Sequence, residues 1–225
     1  MYPVLEWRTF GRMINMNKIF LTSSAYVVIE DLVGRLGRSV GGLRVMFLNT
    51  ASEVEEGDKK WLQDDRDSLV KMGFEVFDYT ITGKSEQEVM QAVESIDVLF
   101  VAGGNTFYLL EQARKCGFEK IVKDLMERGV IYIGSSAGSL LAGPDIEPIK
   151  YLDDPSKSES LRSFEAFGLT DVIVFPHWGS DGFREKYLKL IESVYRVGKK
   201  IILLTDQQYV MVEGENFQII DVTEA

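Results

Sequence analysis

The chain has 225 residues, 45% of them hydrophobic and 27% charged, a balance that builds a core and excludes disordered, collagenous and disulfide-stapled classes. Lys+Arg number 25 against Asp+Glu 35, a net charge of -10, which disfavours phosphate backbones and anionic lipid and points to small-molecule or peptide partners. One cysteine, Cys116, and one histidine, His177, supply neither an intramolecular disulfide nor an ordinary zinc site.

Residues 1–15 precede the first strand-like run and read as an extension, with Met13 or Met16 a candidate natural start; residues 16–225 read as one domain. No apolar run reaches the roughly 18–20 residues of a transmembrane helix. The first residues lack the apolar region of a signal peptide, so the expected location is the cytoplasm. Strands are predicted at 18–24, 43–50, 74–80, 97–103, 130–135, 171–177 and 200–206, and helices at 25–38, 56–72, 85–94, 106–127, 136–142 and 183–197. Their alternation is that of βα units, which predicts an α/β fold around a mostly parallel sheet. Two alternating runs about Gly214 predict a C-terminal hairpin adding antiparallel strands to a sheet edge. Residues 143–167, rich in Pro, Asp, Ser and Lys, read as one long loop, a feature that compact domains usually reserve for function.

Three motifs fall at predicted strand ends. Gly134-Ser135-Ser136-Ala137-Gly138 is a G-x-S-x-G between a strand and a helix, the context in which a serine on a strained elbow exposes its hydroxyl and the next N–H, that of Ala137, faces a developing oxyanion. The plainer reading makes Ser136 a helix N-cap. His177 follows Pro176 at the end of another strand, where open α/β sheets gather their chemistry; it is either the base such a serine needs or a packed histidine beside Trp178. Gly103-Gly104-Asn105-Thr106 lets backbone approach a ligand and offers a second oxyanion donor, while Asn105 or Thr106 caps the following helix. Gly83-Lys84-Ser85 does not make a phosphate loop, since Asp78 stands where the motif needs glycine. Cys116 in the helix-like LLEQARKCG and Trp61 read as packing residues, and Trp178 as a candidate pocket wall.

GGNTF, G-x-SAG and the Pro-His after a strand, in this order from about Lys18 to the C-terminus, resemble the dipeptidase E and cyanophycinase family of serine peptidases. The resemblance implies a class I glutamine amidotransferase-like fold, a mostly parallel sheet flanked by helices on both faces, with serine at the elbow. It implies Ser136 as nucleophile, His177 as base, and Gly104 and Ala137 as oxyanion donors, with Gly103, Asn105 and Thr106 at the substrate. The related amidotransferases carry glutamate two residues after the histidine; here that position is Gly179, so the acid comes from elsewhere. In the family it lies in the loop after the elbow helix, which makes Asp153 the expected third member, with Asp154 and Asp206 as competitors. Arg184-Glu185 matches a stretch of dipeptidase E whose arginine belongs to the pocket for an N-terminal aspartate. Arg184 is therefore the expected carboxylate fork, against the plainer reading of a helix-surface arginine.

The implied reaction is acyl transfer on a short peptide without metal or organic cofactor. Partners are expected to be peptides and further copies of the chain, with no nucleic acid and no membrane. Two other readings compete: an α/β-hydrolase esterase, in which the histidine usually lies nearer the chain end, and an inactive member of the fold that only binds a small molecule.

Overall fold

Apolar residues on both faces of consecutive strands set the architecture. The computed structural model describes residues 18–195 and 198–224; the expected extension over residues 1–15 lies outside them. Strands β1 (Lys18–Thr22), β2 (Arg44–Leu48), β3 (Glu75–Tyr79), β4 (Val98–Val101) and β5 (Ile131–Ser135) run parallel. Leu99 and Val101 of β4 are buried on one face, and Val98 and Phe100 on the other. This two-sided burial is why parallel strands read as continuous apolar runs.

Helices α1 (Ala25–Gly34) and α2 (Lys60–Lys71) cover the second face. The first is covered by α3 (Glu86–Ala92), α4 (Thr106–Lys115), α5 (Phe118–Glu127), α6 (Ala137–Ala142) and α7 (Arg184–Val194). Phe118, Ile121, Val122, Leu125 and Met126 recur at helical spacing and form the buried stripe of α5. The predicted helix over 106–127 is two helices, because Gly117 takes φ 68° and breaks it.

The remaining strands are β6 (Val172–Phe175), β7 (Lys200–Leu203), β8 (Gln208–Glu213) and β9 (Asn216–Asp221). The hairpin β8–β9 turns at Gly214 and adds antiparallel to β1, giving the order β3-β2-β4-β5-β1-β8-β9. Among the described residues, strands β6 and β7 pair only with each other, parallel, outside the main sheet. The loop over 143–167 is packed, with Ile146, Ile149, Leu152 and Phe167 in the core.

Among the described glycines, the one with least room for a side chain lies in the turn from β5 into α6. A Cβ on Gly138 would stand 1.9 Å from the Val101 carbonyl oxygen, so α6 sits on β4 only because that residue is glycine. Gly138→Ala is expected to cost at least about 2–3 kcal/mol through overpacking, measured as a lower urea midpoint. An unchanged midpoint would show that α6 can move off β4 freely.

Candidate active site

Each element of the site leaves the carboxyl end of a parallel strand. Ser23 follows β1, Gly103 and Gly104 follow β4, Ser136 follows β5, His177 follows β6 and Asp206 follows β7. Ser136 has φ 49° and ψ −106°, and His177 has φ 65°. Among the described residues these are the two non-glycines with positive φ, a conformation that L-residues hold only where the surroundings enforce it. Around Ser136 the enforcement is a set of bonds to the end of β1. The Ser136 amide donates to the Thr22 carbonyl at 3.0 Å, and Thr22 Oγ1 and Ser139 Oγ both donate to the Gly134 carbonyl at 2.8 Å.

Ser136 Oγ lies 3.0 Å from His177 Nε2, and His177 Nδ1 lies 2.9 Å from Asp206 Oδ1. An ionised carboxylate only accepts, so Nδ1 carries the proton and Nε2 presents its lone pair to the serine hydroxyl. Ser23 completes the support: its hydroxyl donates to Asp206 Oδ1 at 2.6 Å and accepts the His177 amide at 2.7 Å. Ser180 Oγ donates to Asp206 Oδ2 at 3.1 Å. The hydrogen bond with His177, joined by those from the two hydroxyls and outweighing partial burial, holds the Asp206 carboxyl down at about 2. The imidazole also stacks on Phe183, with ring centroids 4.5 Å apart.

Asp153, expected at the histidine, is elsewhere. Its Oδ2 accepts the Thr106 N–H at 2.9 Å and the Thr106 hydroxyl, which ties the 143–167 loop to the first turn of α4. Burial pushes this carboxyl up from its ordinary value. Asp154 accepts the Ser156 amide in an exposed turn, which lowers its carboxyl. Asp206, the third candidate, is the acid at the imidazole.

Ser136 and His177 open on a cavity of about 310 Å³ whose wall includes Trp61, Gly103, Gly104 and Asp153. Gly104 has φ 124°, and a Cβ there would strike the Ala51 carbonyl at 2.2 Å, so no other residue fits this turn. Ala137 is the first residue of α6, and its N–H is among those a helix leaves without an internal partner. Asn105 and Thr106 do not line the cavity: Asn105 caps α4 through the Tyr108 amide and donates Nδ2 to the Asp154 carbonyl. Arg184 is likewise displaced, lining a neighbouring groove of about 400 Å³ with Trp178 and Tyr187. The lysine two residues on, Lys186, lines the Ser136 cavity instead; its Nζ donates to the Leu152 carbonyl at 2.8 Å.

Sequence reasoning missed Ser23, Ser180, Lys186 and Asp65. The hydroxyls carry no motif. Asp65, which also lines the cavity, had a signal, since Trp61, Asp65 and Leu69 fall at successive i, i+4 positions of α2, placing a carboxyl on an otherwise apolar stripe.

A serine, an imidazole and a carboxylate in one hydrogen-bonded run at the carboxyl edge of a parallel sheet define an acyl-transfer class of α/β enzyme. The chain belongs to peptidase family S51, whose model matches residues 19–220, and it is a serine peptidase. It is 30% identical over 200 residues to an uncharacterized peptidase of Pasteurella multocida, covering 89% of this chain and 95% of that one. It is 35% identical over 102 residues to peptidase E of Escherichia coli, covering 44% of this chain and 42% of that one. A crystal structure of a protein from Listeria monocytogenes EGD-e superposes with a TM-score of 0.85 at 27% identity, covering 92% and 98% of the two chains. The resemblance read from the motifs and the α/β fold expected from it are thus both found.

Proposed function

We propose that the protein hydrolyses short peptides with an N-terminal aspartyl residue through an acyl-enzyme on Ser136. The observation that carries this reading is the run Ser136–His177–Asp206, with strained backbone at both its serine and its histidine. His177 takes the serine proton as Oγ attacks the scissile carbonyl, and the N–H groups of Gly104 and Ala137 receive the oxyanion on the nucleophile elbow. The imidazolium then protonates the leaving amine, and water repeats the cycle on the acyl-enzyme. Asp206 holds Nδ1–H in place and balances the imidazolium. The cytoplasm is the compartment we assign, and the single buried thiol, Cys116, fits a reducing environment.

The aspartyl preference rests on Lys186, the cation of the cavity wall, and no longer on Arg184. A charge-assisted bond is worth roughly 1.5–3 kcal/mol, so kcat/KM for Asp-Leu should exceed that for Ala-Leu by about tenfold or more. Lys186→Met is expected to erase that ratio and Arg184→Leu to keep it. Equal rates of the wild type on Asp-Leu, Glu-Leu and Ala-Leu would remove the aspartyl assignment and leave the serine chemistry standing.

A further inference from the structure

The reacting residues stand on two separate sheets. Ser136 leaves β5 of the seven-stranded sheet, whereas His177 and Asp206 leave β6 and β7, and among the described residues no strand pairing joins the two sheets. Proton transfer from Ser136 to His177 needs a fixed separation, and a displacement of about 1 Å between such groups costs on the order of a hundredfold in rate. A contact at the rim must therefore keep the sheets in register.

The end of β1 is placed to do so. Strand β1 is the neighbour of β5, with Thr22 opposite Ser135. The Thr22 carbonyl accepts the Ser136 amide at 3.0 Å and the Ser139 hydroxyl at 2.8 Å, which fixes the elbow. Ser23, the next residue, is buried and reaches to the other sheet: its hydroxyl donates to Asp206 Oδ1 at 2.6 Å and accepts the His177 amide at 2.7 Å. Two consecutive residues of one strand thus hold the two halves of the site.

The backbone at His177 explains why a side chain is needed there. The Leu204 amide donates to the Phe175 carbonyl at 2.9 Å, and in an unbroken parallel ladder the amide of residue 177 would return to the Leu204 carbonyl. The Trp178 amide takes that place instead, at 2.9 Å. His177 is the extra residue, pushed out of the ladder at φ 65°, much as a bulge re-aims a side chain beside an active site. Its N–H loses its ladder partner, and the Ser23 hydroxyl supplies another.

We propose that Ser23 is a positioning residue whose hydroxyl joins the base and acid of one sheet to the nucleophile of the other and so sets the distance over which His177 takes the serine proton. The inference rests on the serine peptidase reading and adds to it a residue that acts through His177 and Asp206. Ser180 provides the contrast. Its hydroxyl also donates to Asp206, but its amide bonds to the His177 carbonyl in the same turn, so it stabilises the carboxylate without bridging the sheets.

His177 is the one histidine of the sequence, so selective ¹⁵N-histidine labelling displays a single histidine amide and a single imidazole. In the wild type the His177 amide is expected to exchange with solvent at least about 100-fold more slowly than the amide of an open turn. Exchange at the open-turn rate would overturn the proposal whether or not any variant folds. In Ser23→Ala the protection should fall by about tenfold or more, and the Nδ1 proton shared with Asp206 should move upfield. Fluorophosphonate labelling of Ser136 and kcat on a dipeptide should both fall by about 10- to 100-fold in that variant, with KM changed by less than about threefold. Ser180→Ala is expected to lose less than about tenfold and to keep the His177 amide protected. Equal losses in the two variants would overturn the bridge and leave only stabilisation of a charge. A wild type that shows the protected amide but is not labelled at Ser136 would condemn the nucleophile and not the bridge.

Discussion

Ser136→Ala is expected to lower kcat on a cleavable dipeptide by about five to six orders of magnitude, since removing the nucleophile leaves only binding and oxyanion effects. It should also abolish fluorophosphonate labelling, whereas Ser135→Ala should keep it. The Ser135 hydroxyl also lines the cavity, but it accepts the Ala25 amide at 3.4 Å and has no bond to His177. A companion variant tests the strain at the elbow. At φ 49° and ψ −106° an L-residue is held off its preferred basins at a cost of roughly 1–3 kcal/mol. Glycine relieves that cost and surrenders part of the gain to unfolded-state entropy. Ser136→Gly is therefore expected to be as inactive as the alanine variant and more stable than wild type by about 1 kcal/mol, measured by urea unfolding. A Ser136→Gly protein less stable than wild type would mean that the elbow carries no strain, and a Ser136→Ala protein that still turns over would move the nucleophile elsewhere.

What the sequence discloses about this site depends on whether a residue's position is fixed by its own strand. Ser136 and His177 each follow a buried run directly, so their place on the rim is readable before any pairing is known. Asp206 also follows a strand closely, and that position is the better guide to the acid. Chain order after the elbow favours Asp153 but says nothing about distance through space, and Asp153 turns instead to the Thr106 amide at the start of α4. The same limit applies to the strands. An apolar run announces a strand and not its neighbours, which is why β6 and β7 were legible as strands and their separation from the main sheet was not. The break at Gly117 was hidden because the apolar spacing of α4 continues into α5 across it. Lys186 and Arg184 lie two residues apart on one helix, about 200° around its axis, so a register that identifies the cationic turn does not say which cation enters the cavity.

Asp206→Asn supplies the sharpest test of how the site is wired. Asparagine keeps the size of the side chain and loses its charge. Its amide can donate to Nδ1, which favours the imidazole tautomer with the proton on Nε2 and leaves Ser136 without a base. A loss of about 10³–10⁴ in kcat is expected, the scale that follows when a buried acid stops orienting such a histidine. The bond to His177, with those from Ser23 and Ser180, keeps the Asp206 carboxyl at about 2 against 3.8 for the free side chain. It is therefore ionised throughout the neutral range, so the substitution removes a full charge from beside the imidazole there. Stability carries the matching sign. A carboxyl whose folded value is depressed stabilises the fold above its unfolded value, and that contribution disappears as pH falls through the folded one. The gap in unfolding free energy between wild type and Asp206→Asn should thus be full at pH 5 and close between about pH 4 and pH 2. Asp153→Asn, by contrast, is expected to loosen the 143–167 loop and raise KM, with no comparable fall in kcat. If Asp153→Asn costs the thousandfold and Asp206→Asn does not, the acid acts from the loop and the hydrogen bond between His177 and Asp206 is only structural.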